Sequence, residues 1–213
     1  MISNNYERII KEINSANPEC RLVAVTKNHS ADEVRELIEL GQKDFGENKL
    51  QELTEKADAL KKEMSEGKII WHFIGHLQSN KAKKAVELCE WIHSVESLKL
   101  AKKIDSAAEE FNKKQKILIE VNVAGEENKY GLNPAEVEDF VNELKGMDNL
   151  DVKGLMTMAP FVEAEETRPY FKKLKELADK LGLEELSMGM SNDYRVALEE
   201  GASFVRIGSL LFE

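Results

Sequence analysis

The sequence predicts a parallel (β/α)8 barrel with an extra N-terminal helix, a single domain over residues 1–213. Three observations predict it. Eight short apolar runs read as strands, and most of the stretches between them carry the apolar period of a helix. Strand–helix alternation means βαβ units on a parallel sheet, and about eight such units suit a closed barrel. The chain has 213 residues, a length such a barrel fills as one domain. An open doubly wound sheet is the alternative. It usually needs fewer strands, and no G-x-G-x-x-G follows the first run to mark a dinucleotide site.

The elements follow in order. Tyr6 to Ile13 is a helix with one apolar face, which either caps the bottom of the barrel or meets a second copy. "RLVAVTK" is the first strand. Ser30-Ala31-Asp32-Glu33 is a capping box that starts the next helix, in which Val34, Leu37, Ile38 and Gly41 recur at helical spacing. "DFGEN" and "WHFIG" are the second and third strands. Ala82, Ala85, Val86 and Cys89 repeat the helical spacing, "WIHSV" is the fourth strand and "KILIEVNV" the fifth. Asn133-Pro134 places a cap residue before a proline at the first helical position, and Val137, Phe140, Val141 and Leu144 continue that helix. "VKGLMTM", the stripe Phe171, Leu174, Ala178 and Leu181, then "ELSMGM" and "FVRIGS" complete the alternation. No repeat, low-complexity tract or linker divides the chain.

Composition narrows the function. The net charge of −10 argues against a nucleic-acid partner, because phosphate backbones demand a basic face. The cluster "NKAKK" (Asn80 to Lys84) reads as the polar side of a helix. Cys20 and Cys89 lie in apolar contexts without C-x-x-C spacing and read as buried thiols of a reducing compartment. "MISNNYERIIKEI" is no signal peptide, and no run approaches the roughly 20 apolar residues of a membrane span. A cytoplasmic protein is expected.

In such barrels the chemistry sits at the C-terminal ends of the strands. Lys27 lies there. A lysine buried at that position loses solvation of its charge, which frees the amine for Schiff-base formation with an aldehyde. A loop lysine reaching into solvent is the other reading. Ser187, Gly189 and Ser191 end the seventh strand, with Ser191 placed to cap the next helix. Arg206, Gly208 and Ser209 end the eighth. Small residues let backbone N–H groups approach an anion, and barrels often hold phosphate after strands 7 and 8. Two ordinary tight turns are the alternative. Asn48 is either a donor to a ligand oxygen or a turn residue beside Gly46. His72 and His76 are four apart but on a strand and its loop, so their spacing does not place both rings on one metal. His76 could border the site, and His93 reads as a core or edge residue. Trp71 and Trp91 read as packing, and Met156, Met158, Met188 and Met190 as barrel filling. "VNVAGEENKYG" (Val121 to Gly131) resembles an active-site loop after the fifth strand, with Asn122 and Lys129 either site candidates or solvated loop residues.

Together "LVAVTK", "DFGENKLQE", "WHFIGHLQSNK", "VKGLMTM", "LSMGMSND" and "VRIGSLLF", in this order from Leu22 to Phe212, resemble the pyridoxal phosphate homeostasis protein family. That family is similar to the barrel domain of alanine racemase standing alone. The resemblance implies pyridoxal 5′-phosphate (PLP) as cofactor and a carrier or buffer without established turnover. It implies that Lys27 forms the internal aldimine and that Ser191, Gly208 and Ser209 bind the phosphate, with Ser187 on the adjacent strand. Arg206 is implied to face the pyridine nitrogen and Asn48 to lie near the ring. It leans to a monomer, with PLP-dependent apoenzymes as recipients. The sequence departs from the family at Thr26, commonly Ser, and at Asn28-His29-Ser30.

An arginine on the ring nitrogen can only donate, so it leaves that nitrogen unprotonated and weakens the cofactor as an electron sink. A chain used up by the barrel leaves no room for a covering domain, and no tyrosine follows the lysine strand to serve as a second acid or base. The expectation is therefore reversible holding of PLP. An amino-acid racemase or decarboxylase, and a metal-dependent hydrolase using His72 and His76, are the competing classes.

Overall fold

The computed structural model describes residues 2–213. Eight strands close a barrel in chain order: β1 (Arg21–Val25), β2 (Asp44–Glu47), β3 (Ile70–Phe73), β4 (Trp91–Val95), β5 (Gln115–Glu120), β6 (Leu150–Met156), β7 (Glu185–Ser187) and β8 (Phe204–Ile207). Every neighbouring pair is parallel, and β8 returns to β1 with Arg21 beside Phe204 and Ala24 beside Ile207. The predicted (β/α)8 barrel, including its N-terminal helix, is the fold observed.

Ten α-helices accompany the strands among the described residues: α1 (Ile2–Ala16), α2 (Ala31–Glu39), α3 (Leu50–Ala59), α4 (Lys61–Ser65), α5 (Ala82–Leu88), α6 (Leu98–Glu110), α7 (Val137–Leu144), α8 (Arg168–Leu181), α9 (Tyr194–Glu199) and α10 (Ser209–Phe212). The capping box forms as the sequence predicts: the Ser30 hydroxyl accepts from Glu33 N–H while the Glu33 carboxylate accepts from Ser30 N–H. Asn133 caps a 3-10 turn that leads into α7. The extra helix α1 buries Tyr6, Ile9 and Ile13. It packs sideways on α2, α9 and α10 rather than capping the barrel floor. Tyr194 and Arg195 of α9 bond Glu12 at 2.5 and 2.7 Å.

The strands face two cores. The large one lies between strands and helices, where Leu22, Phe45, Trp71, Phe171 and Leu174 are buried. The small one fills the barrel itself with Val23, Trp91, Leu118, Met156 and Phe204. Above this apolar layer the interior turns polar: His72, His93, Ser187 and Arg206 are all buried. Both cysteines are buried, and burial pushes their thiols well up, to about 12 for Cys20. They read as packing groups rather than nucleophiles.

β7 is shorter than "ELSMGM" suggests. Gly189 turns with φ 89°, and an added Cβ there would sit 2.5 Å from Ala197 Cβ. Only glycine allows that turn so close to α9. The chain still follows β8 irregularly, with Arg206 N–H donating to the Gly189 carbonyl at 3.0 Å.

Candidate active-site cavity at the barrel mouth

β1 stops at Val25 and the chain enters a turn closed by His29 N–H on the Thr26 carbonyl at 3.0 Å, with Asn28 left-handed at φ 64°. Lys27 is the second residue of this turn. A buried frame holds the turn from behind. The Thr26 hydroxyl donates to Glu47 Oε1 at 2.5 Å, Lys56 donates to the Thr26 carbonyl at 2.5 Å and to the same Glu47 oxygen, and Glu52 accepts from Asn28 N–H at 2.9 Å. Glu47 and Lys56 are buried. Lys27 itself is exposed, which corrects the burial expected of it. The turn carries the side chain past the strand end into the mouth, so the buried frame fixes the backbone and leaves the amine in water. Residue His29 turns away from the mouth. Its ring stacks on Phe212 of α10 at 3.6 Å between centroids, and its Nδ1 meets Glu33 at 2.9 Å.

Lys27 lines an open cavity of about 760 Å³ at the C-terminal end of the barrel. Asn48, Ser191, Arg206, Gly208 and Ser209 line it too. Of the seven residues that the resemblance places around the cofactor, Ser187 alone is not on the wall; it lies buried directly behind Arg206, accepting from Nη1 at 2.7 Å. The Arg206 Nη2 donates to the Thr157 carbonyl at 2.9 Å. Ser187 is in turn 2.9 Å from His93 Nδ1, His93 Nε2 is 2.9 Å from His72 Nδ1, and His72 Nε2 is 2.8 Å from Asp44 Oδ1.

The two terminal turns converge, as expected: Ser209 and Ser191 hydroxyls are 3.0 Å apart. Ser191 does not cap α9, however. That helix starts later, at Tyr194, after Asp193, whose carboxylate folds back to accept from Met190 N–H at 2.6 Å. This frees the Ser191 hydroxyl for the cavity. Asn48 keeps its Oδ1 buried without a hydrogen-bond partner among the described residues. A buried acceptor left unpaired favours any ligand that supplies a donor.

Electrostatics in the mouth centre on Arg206. Burial pulls this guanidinium down to about 10, with Glu120 and Asp193 opposing. Burial pushes Glu120 up to about 7, nearby Glu96 adds to this and Arg206 opposes it. Since the folded value lies above the 4.5 of an ordinary glutamate, the native state keeps a proton that the unfolded chain loses as pH rises from 4.5 to 7. Stability falls across that window and stays lowered above it. Glu120→Gln is therefore expected to be more stable than the native chain by about 3 kcal/mol at about pH 8 and equally stable near pH 4. Urea unfolding at the two pH values checks it.

His76 borders the cavity as the sequence allowed, and Tyr130 of the loop after β5 lies beside it, whereas Phe161 was not legible as a wall residue. Tyr130 follows β5 and stacks on His76 at 3.9 Å, and His76 meets Glu96 at 2.9 Å. Met158, Met190 and Phe161 complete the rim, Phe161 being 93% exposed. Met156 and Met188 are barrel or core filling as expected, whereas Met158 and Met190 face the cavity. His72 and His76 have separate partners, one inside the barrel and one at the rim. Asn122 braces its own loop through Glu126, and Lys129 pairs with Glu126 at 2.7 Å.

Fold and site together define a (β/α)8 barrel whose mouth gathers an amine, a buried guanidinium and a hydroxyl pair. The sequence pattern of the family described as "Alanine racemase, N-terminal domain" matches residues 1–213. The chain belongs to that family, within the pyridoxal phosphate homeostasis proteins. It is 43% identical over 199 residues to the pyridoxal phosphate homeostasis protein of Aquifex aeolicus, covering 90% of this chain and 86% of that one. The solved structure of PipY from Synechococcus elongatus without PLP superposes with a TM-score of 0.93 at 37% identity, covering both chains completely. The structure of the same protein with PLP bound gives 0.89 at 36% identity, again over all of both chains.

Proposed function

We propose that this chain binds PLP reversibly at the barrel mouth and acts in PLP homeostasis as a carrier or buffer. In this reading residues 1–213 are one domain, a cytoplasmic monomer that delivers PLP to PLP-dependent apoenzymes. The observation that carries it is the convergence of Lys27, Arg206, Ser191 and Ser209 on one cavity, in a chain whose relatives include a PLP-bound structure. The residues fit the group. Lys27 supplies the amine that condenses with the aldehyde, forming a C=N bond and releasing water. Ser191, Gly208 and Ser209 take the phosphate, Arg206 donates toward the pyridine nitrogen with Ser187 behind it, and the unpaired Oδ1 of Asn48 stands ready for a donor near the ring.

Exposure favours holding over turnover. Lys27 stands in solvent, so water can reach the bond it forms and reverse it. The amino-acid racemase or decarboxylase reading draws on Tyr130, a phenol on the cavity wall. Its ring is stacked on His76. Sustained exchange of amino-acid α-protons in deuterated buffer, at enzymatic rates, decides for that reading.

The test of binding is spectroscopic. The protein mixed with PLP is expected to turn yellow, and Lys27→Ala to abolish the long-wavelength band while far-ultraviolet circular dichroism stays unchanged. A native protein that never shows the band contradicts the proposal.

A further inference from the structure

The barrel interior holds an unbroken line of hydrogen bonds from the cavity wall to the second strand: Arg206, Ser187, His93, His72, Asp44. Its ends fix its direction. Arginine can only donate and a carboxylate can only accept. Asp44 Oδ1 therefore takes the proton of His72 Nε2, which leaves His72 Nδ1 bare. His93 Nε2 must then donate to that bare nitrogen, which leaves His93 Nδ1 bare in turn. The Ser187 hydroxyl donates to it and keeps a lone pair for Arg206 Nη1–H. One arrangement of protons, with both imidazoles neutral, satisfies every link.

We propose that His72 and His93 are positioning residues, anchored by Asp44, which act through Ser187 to hold the Arg206 guanidinium in the cavity wall. The geometry supports this on each side. Both rings are wholly buried against Trp91 and Phe204, so neither can swing out to find another partner. Ser187 has no free choice of rotor, because His93 fixes its proton. The remaining Arg206 hand is fixed by the Thr157 carbonyl. A guanidinium held at two points leaves its other N–H groups aimed in a set direction, where a loose one would spread them.

Burial disfavours an extra proton along the line, and at His93 the neighbouring charges do so too. Arg21 of β1 lies over the Phe204 ring at 3.8 Å, and Arg206 closes the upper end. Asp44 and Glu90 oppose them. Burial holds both imidazoles below their usual range, and for His93 the neighbouring His72, Arg206 and Arg21 add to it. A proton added to His93 Nδ1 would face the Ser187 hydroxyl and remove the acceptor that orders it.

The ligand arm of the test rests on the PLP reading, and the first arm does not. In nitrogen-15-labelled protein without PLP, both imidazoles are expected to be neutral with the proton on Nε2 from about pH 6 to 8. A scalar coupling is expected across the hydrogen bond from His93 Nε2–H to His72 Nδ1. An imidazolium, a proton on Nδ1 of either ring, or absence of the coupling overturns the proposal. In the second arm, His93→Leu is expected to raise the PLP dissociation constant about tenfold. His93→Gln, whose amide can accept from Ser187 and donate to His72, is expected to recover most of that. A native-like constant in His93→Leu, or His93→Gln as weak as His93→Leu, overturns it. Failure of the native protein to bind PLP sinks the proposed function, while the proton order is still decided by the nitrogen spectra.

Discussion

Lys56→Met is expected to destabilise the protein by about 3–5 kcal/mol, because it strands a buried carboxylate. Glu47 is fully buried, and one of its oxygens, Oε2, already lacks a partner among the described residues. Its other oxygen is shared by the Thr26 hydroxyl and the Lys56 ammonium. Without the ammonium the charge keeps a single hydroxyl, and the Thr26 carbonyl loses one of its two donors, keeping only His29 N–H. The pair as a whole is worth less than its breakage suggests, since burying two charges costs much of what their attraction returns. The double variant Lys56→Met with Glu47→Leu is therefore expected to regain most of the stability. Urea unfolding midpoints at constant slope measure both. A single variant that loses less than about 1 kcal/mol shows that Glu47 finds relief elsewhere, against this account. The same frame carries the Lys27 turn, so weakened PLP binding is expected to accompany the loss of stability.

The second large effect is expected at Gly75, between β3 and the "HLQSNK" loop. A Cβ there would fall 2.2 Å from the Asn48 carbonyl oxygen and 2.7 Å from its Cα. These are backbone atoms, so no rotamer change relieves the clash, and the end of β2 must move. Gly75→Ala is expected to destabilise by about 3 kcal/mol, the upper part of the range for overpacking. It is also expected to shift Asn48 on the cavity wall and weaken PLP binding. Gly146→Ala, where nothing lies within 4 Å of the added atom, is the control and is expected to be neutral. Native-like binding and stability in Gly75→Ala contradict the packing described.

Much of this molecule was legible in its sequence because strand and helix periods are local. The capping box at Ser30, the stripes of α5 and α7 and all eight strand segments appear where the pattern put them. Convergence of the two terminal turns was legible because barrel geometry forces the ends of β7 and β8 together. What failed depended on the third dimension. Lys27 reads as buried from its apolar neighbours, yet the turn at Asn28 swings it into solvent. Ser191 reads as a cap, yet Asp193 turns back to Met190 and starts the helix later. Tyr130 and Phe161 sit in aperiodic loops, whose paths no period encodes. His93 reads as a core or edge histidine; its partners His72 and Ser187 are 21 and 94 residues away, and no spacing rule connects them.

The central claim is that the Lys27 amine is the group that captures PLP. Borohydride reduction of the protein mixed with PLP, followed by proteolysis and mass spectrometry, tests it most directly. One pyridoxyl group on the peptide carrying Lys27, and none in Lys27→Ala, is the expected result. A group on another lysine, with Lys27 unmodified, contradicts it.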